Sequence, residues 1–128
     1  MKKLTILLFS ILIAFSSYGE WTKVGESNGN IFYIDKDTIK EHGGHVYWWD
    51  LTDYIKPGET GNMSGVLYKQ GDCGVNRYKW LSSIFYKQPM GRGTGDTQKP
   101  HDTDWRYPSP GSVSGYLLKY VCNYVRTR

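Results

Sequence analysis

The chain holds little of what catalytic and metal sites are usually built from. There are two cysteines (Cys73, Cys122), three histidines (His42, His45, His101) and four glutamates (Glu20, Glu26, Glu41, Glu59). Neither cysteine has another near it in sequence, which argues against a redox-active pair or a zinc site. The glutamates fall near turns or element ends, so no paired-acid arrangement is framed. No nucleophile constellation is framed either, although a triad assembled only in space stays open. Gly91-Arg92-Gly93-Thr94-Gly95 has the glycines of a phosphate loop but not its Lys-Ser/Thr, and no helix follows at once. Asp96, Asp102 and Asp104 lack EF-hand spacing. His42 and His45 bracket Gly43-Gly44, a turn rather than a helix face. We therefore expect a non-enzymatic protein with no cofactor and no metal.

Long hydrophobic runs are also scarce. The one apolar stretch, Leu4 to Phe15, is interrupted by Thr5 and Ser10 and falls short of the ~20 residues that span a bilayer. Lys2 and Lys3 precede it, and the small residues Ser16, Ser17 and Gly19 close it. This is the order of an export signal, with cleavage expected after Gly19. Residues 1–19 read as the signal peptide and 20–128 as a single domain. No cysteine near the cleavage site offers a lipid anchor. The domain is expected in the periplasm or at the cell surface.

Charge of one sign is weak. The formal charge of +4 includes Lys2 and Lys3. Residues 20–128 carry 14 basic against 12 acidic side chains, a net +2. That is too small a field to point to nucleic acid.

Aromatic residues are abundant: eleven tyrosines, five tryptophans and four phenylalanines, 16% of the chain. Rings bury much area per residue, which suits a small exported core, and they equally suit a recognition surface. In an oxidising compartment the even pair Cys73 and Cys122 reads as one disulfide. Closing the 50-residue loop from Cys73 to Cys122, counted inclusively, contributes roughly 4 kcal/mol by chain entropy.

Five runs read as strands: Trp21 to Glu26, Ile31 to Asp35, His45 to Tyr54, Ser64 to Gln70 and Arg77 to Gln88. Short turns, among them Asn28-Gly29 and Gly43-Gly44, allow only antiparallel pairing. In the third strand His45, Tyr47, Trp49 and Leu51 share one face, and Val46, Trp48, Asp50 and Thr52 the other. In the fifth, Tyr78, Trp80, Ile84 and Tyr86 are expected together. From Pro89 to Pro110 glycine and proline predict a long irregular loop. A helix follows, with Ser109 as cap, Pro110 in the first turn, and Leu118, Val121, Cys122 and Val125 as an apolar stripe. The fold expected is α+β: an antiparallel meander of about five to six strands, with a C-terminal helix packed on it and tied by the disulfide.

Two candidate surfaces emerge. The loop carries Arg92, Lys99, Trp105, Arg106 and Tyr107, a composition suited to holding a protein partner. Trp105 can equally plug the loop onto the core. The helix covers one sheet face, so the other leaves rings such as Tyr47 and Trp49 open to self-association as a homodimer.

Several short motifs together resemble the surface-adhesin protein E family of Gram-negative bacteria. They are Glu20-Trp21-Thr22-Lys23-Val24, Phe32-Tyr33-Ile34-Asp35 with Thr38-Ile39, Val46-Tyr47-Trp48-Trp49 with Leu51 and Asp53-Tyr54, Asp72-Cys73, Trp105, Pro108 to Ser112, and Tyr120-Val121-Cys122. The resemblance implies a bent antiparallel sheet with a disulfide-tied helix, adhesion to host surface or matrix proteins, and dimerisation. The alternative reading is a periplasmic ligand-binding or inhibitor protein.

Overall fold

The computed structural model describes residues 20–128. The signal-peptide reading concerns residues 1–19 and lies outside them. Among the described residues no helix is long and apolar enough to cross a membrane. Seven strands and one α-helix make up the described part: β1 (Thr22–Ser27), β2 (Asn30–Ile34), β3 (Lys40–His42), β4 (His45–Asp53), β5 (Ser64–Asp72), β6 (Arg77–Tyr86), β7 (Gly95–Gln98) and α1 (Val113–Thr127). All pairings are antiparallel, in the order β1-β2-β4-β5-β6-β7, with β3 also on β4. β2 pairs with Asp50 to Asp53 of β4 and β3 with His45 to Tyr47. The two share one edge of β4, separated by a 3-10 turn at Lys36–Thr38.

Local chemistry explains the elements. Asn28-Gly29 joins β1 to β2 with both residues at positive φ, the geometry that suits a two-residue hairpin. β4 alternates buried Val46, Trp48 and Asp50 with half-buried Tyr47 and Trp49, so one face meets the core. α1 starts where the Ser112 hydroxyl accepts the Gly115 N–H at 3.1 Å. It lays Leu117, Leu118 and Val121 on Ile34, Ile39, Val46, Trp48 and Tyr78. Trp48 is 1% exposed. At Gly71 a Cβ would come within 2.6 Å of Leu118 and 2.9 Å of Trp48, so only glycine lets helix and sheet approach this closely. Cys73, just after β5, is bonded to Cys122 of α1, with Cα atoms 5.9 Å apart.

The helix therefore covers the Val46–Trp48 face and leaves the Tyr47–Trp49 face outward. The α+β sheet-and-helix architecture is the expected one, with four local differences. β3 and β7 add two short strands, and neither has an apolar alternation to reveal it. The Pro89–Pro110 segment is not irregular throughout, because Gly95–Gln98 pairs with β6 and Pro89–Gly91 forms a 3-10 turn. The helix is capped by Ser112 rather than Ser109, so Pro110 precedes it.

The fourth difference is in β6. Lys69 pairs with Trp80 and Tyr68 with Ser82, which leaves Leu81 bulged. A bulge inserts one extra residue and inverts the alternation beyond it. Tyr78 and Trp80 thus face the helix side, whereas Ile84 and Tyr86, opposite Val66 and Ser64, face the outer side.

Candidate functional site

The outer sheet face is closed at one end and open at the other. At the closed end the Pro89–Gly91 turn packs on Leu51 and Val66. Met90 N–H donates to Asp53 Oδ1 at 2.9 Å and Gly91 N–H to Ser64 Oγ at 2.9 Å. Toward the other end Tyr68 lies between Tyr47 and Trp49, with ring centroids 6.3 and 4.7 Å away. These rings are half-buried and stack on one another. This is where the structure places Tyr47 and Trp49.

Beyond the rings a cationic and aromatic strip runs along the outer edge of β6. Arg106 forms a single β-bridge with Tyr78, with N···O distances of 2.8 and 3.0 Å. Adjacent residues of an extended chain point to opposite faces. Trp105 therefore turns to the outer face and Arg106 to the helix side. Trp105 receives the Arg77 guanidinium at 4.2 Å and the Lys79 ammonium at 4.5 Å over its ring, with His45 edge-on at 5.2 Å. The Arg106 guanidinium lies over Trp80 at 4.2 Å.

Asp72 anchors the strip. It accepts from Arg77 Nε at 3.0 Å and sits 3.8 Å from His45 Nε2. Burial would push its carboxyl up. The Arg77 and Val75 N–H bonds and the charges of Arg77 and His45 outweigh that and hold it below the usual aspartate range. The Arg77 guanidinium is pushed up in turn by hydrogen bonding to Asp72 and Tyr107. Gln70 Nε2 lies 2.7 Å from His45 Nδ1.

The five loop residues expected to hold a partner are thus dispersed along one edge. Trp105 and Arg106 dock on β6 near Tyr78. Tyr107 is 65% exposed beside them. Arg92 and Lys99 are exposed on either side of β7, toward the far end of β6. Sequence reasoning missed Arg77 and Lys79, which share the face of Trp105. Their alternation with Tyr78 and Trp80 was the available signal.

Two other features have the outline of a chemical site without its geometry. Gly25-Glu26-Ser27-Asn28-Gly29 has Gly-x-Ser-x-Gly spacing. Ser27 ends β1 and pairs with Asn30 across the hairpin, so no strand-to-helix elbow presents it. A groove of about 840 Å³ runs between α1 and the β3–β4 turn, lined by the disulfide, Val46, Leu118, Lys119 and the Pro108–Ser112 segment. It brings no serine onto a histidine within hydrogen-bond reach among the described residues.

The chain shows the fold of Haemophilus influenzae protein E. Crystal form II of that protein is 17% identical, with a TM-score of 0.55 over 80% of this chain and 97% of the other. Protein E from non-typeable Haemophilus influenzae is 17% identical, with a TM-score of 0.53 over 84% and 87%. No curated protein matches the sequence. The family model described as surface-adhesin protein E matches residues 21–123, and the chain therefore belongs to the surface-adhesin protein E family.

Proposed function

We propose that the chain is an exported adhesin domain, secreted by its residue 1–19 signal, that holds a host surface or matrix protein by protein–protein contact. Its binding surface is the outer edge of β6 and the segment folded onto it: Arg92, Lys99, Trp105, Arg106 and Tyr107. The observation that carries this reading is the pinning of Trp105 and Arg106. The β-bridge to Tyr78 fixes their backbone, and cation–π stacking fixes their side chains. Groups ordered before binding lose less entropy on binding. The Tyr47–Tyr68–Trp49 rings, left uncovered by α1, form the self-association surface, where a second copy buries them.

Surface labelling of intact bacteria tests the placement. Labelling of the chain in unbroken cells is expected, and protection until the outer membrane is opened would favour a periplasmic binding or inhibitor role. The self-association surface is tested by sedimentation, where Tyr47→Ser with Trp49→Ser shifts the chain toward monomer. An unchanged mass distribution would overturn that assignment.

A further inference from the structure

The charge of the domain is unevenly placed. Val113 to Arg128 carries Lys119, Arg126 and Arg128 and no acid, whereas residues 20–112 carry 11 basic against 12 acidic side chains. The surplus positive charge therefore sits on α1 and the residue after it. Lys119 and Arg126 are two helical turns apart, so they project from the same side of α1 about 10 Å from each other. Both are exposed, and neither lies within ion-pair distance of a carboxylate among the described residues. Arg126 donates to the side-chain amide oxygen of Asn123, a neutral acceptor that leaves its charge uncancelled.

These two cations border the groove beside α1. Its floor is apolar: Val46 and Leu118 are buried there, and Val125 and the Cys73–Cys122 bond continue it. The helix lines it from Gly115 to Arg126, a length of about 16 Å. The volume of about 840 Å³ is that of a small-molecule site. Pro108 to Ser112 forms another wall, in which the two prolines have no N–H and the Ser112 N–H is already given to the Ser109 carbonyl at 3.1 Å. That wall has little to pair with an extended peptide. The one acid in the lining, Glu41, lies 3.9 Å from Arg128. A long apolar trough bordered by uncompensated cations suits a single apolar chain that ends in an anion.

We propose that this groove binds a free fatty acid, with its chain along the Val46–Leu118–Val125 floor and its carboxylate at the Lys119–Arg126 border. A single carboxylate fits better than a phosphate. The two cations stand too far apart to clamp one head group, and the Gly115 N–H at the start of α1 is taken by the Ser112 hydroxyl at 3.1 Å. The site lies on the helix side of the sheet, apart from the Tyr47–Tyr68–Trp49 rings. It goes beyond the adhesin reading and does not depend on it.

The test is a displacement titration on the exported chain with dansyl-undecanoic acid, a probe whose fluorescence rises in an apolar site. Laurate, kept below the concentration at which it forms micelles, is expected to displace the probe. Dodecanol, with the same chain and no charge, should do so about tenfold less well, and acetate not at all. Lys119→Glu with Arg126→Glu should weaken the probe by about tenfold, and Lys119→Arg should keep its affinity. Both positions are exposed, and an unchanged melting midpoint checks that the variants fold. Ser109→Trp, at an exposed position in the lining, should fill the groove and weaken the probe by a similar factor, whereas Tyr47→Ser with Trp49→Ser should leave it unchanged. Absence of saturable binding, equal displacement by dodecanol and laurate, indifference to the double charge reversal, or loss of binding in the Tyr47–Trp49 variant alone would overturn the proposal. Displacement by dodecyl phosphate, or by an acidic peptide of alternating Asp and Leu, with laurate inactive would overturn it as well.

Discussion

Replacing Lys69 with methionine tests how the core tolerates its one buried ion pair among the described residues. Lys69 is 6% exposed and Asp50 1%, and Lys69 Nζ lies 2.8 Å from Asp50 Oδ2. The same oxygen accepts Trp48 Nε1–H at 2.9 Å, while Oδ1 has no partner. Removing Lys69 strands a carboxylate between helix and sheet with a single hydrogen bond. Breaking such a pair costs about 3–5 kcal/mol, because the surviving charge is neither solvated nor compensated. Replacing both residues, Asp50→Leu with Lys69→Met, removes both charges and both desolvation penalties. The double variant leaves the buried Trp48 Nε1–H without its acceptor, a cost of about 1–3 kcal/mol, and should therefore still be more stable than Lys69→Met alone. Urea unfolding followed by tryptophan fluorescence gives the four corners of the cycle, with a coupling energy of at least about 2 kcal/mol expected. A loss below about 1 kcal/mol in Lys69→Met would refute the argument, since it would mean that Asp50 finds water or another donor once Lys69 is gone.

Other outcomes follow from the same structure. Cys122→Ser should lower unfolding free energy by about 4 kcal/mol in urea titrations, since the bond to Cys73 is what ties α1 to the sheet covalently. Gly71→Ala should cost roughly 1–3 kcal/mol, because its Cβ would meet Leu118, Trp48 and Val46 at 2.6–3.1 Å in a close-packed interface. Asp72 has a folded-state pKa below its unfolded value of ~3.9, so its contribution is fully present above the unfolded value and is lost as pH falls from there through the folded-state pKa. The acid limb of a stability–pH curve should accordingly flatten in Asp72→Asn.

Much of the sheet was legible in the sequence because β2 and β4 are rich in aromatic and β-branched residues and are bounded by Asn-Gly and Gly-Gly turns. β3 and β7 were not. Lys40-Glu41-His42 and Gly95-Asp96-Thr97-Gln98 are exposed throughout and become strands only because a hairpin or a folded-back segment pairs their backbone. The Leu81 bulge was hidden for a related reason, since a residue's face depends on the partner's register and not on its own spacing. The helix stripe was read correctly, but its start was displaced: Ser109 and Ser112 are both good caps, and geometry selects Ser112 after Gly111 at φ +78°. The candidate surface was half visible. Trp105 and Arg106 stood out as an aromatic and cationic pair, yet their partners Arg77, Lys79 and Trp80 lie far upstream and meet them only through the bridge to Tyr78. Plug and anchor, two roles weighed separately for Trp105, coincide here, because the stacking that seats the ring also positions the cations.

The central claim is that the β6 edge holds the partner. Deleting residues 91–99 would remove β7 along with the loop, so point substitutions are the cleaner probe. Attachment to cultured epithelial cells should be measured for bacteria displaying the parent chain and a variant carrying Arg92→Ala, Lys99→Ala and Arg106→Ala, with equal surface amount and an unchanged melting midpoint as controls. The account predicts that the variant loses most attachment, by about tenfold or more. Full attachment by a folded, equally displayed variant would contradict it and move the partner to the Tyr47–Tyr68–Trp49 face.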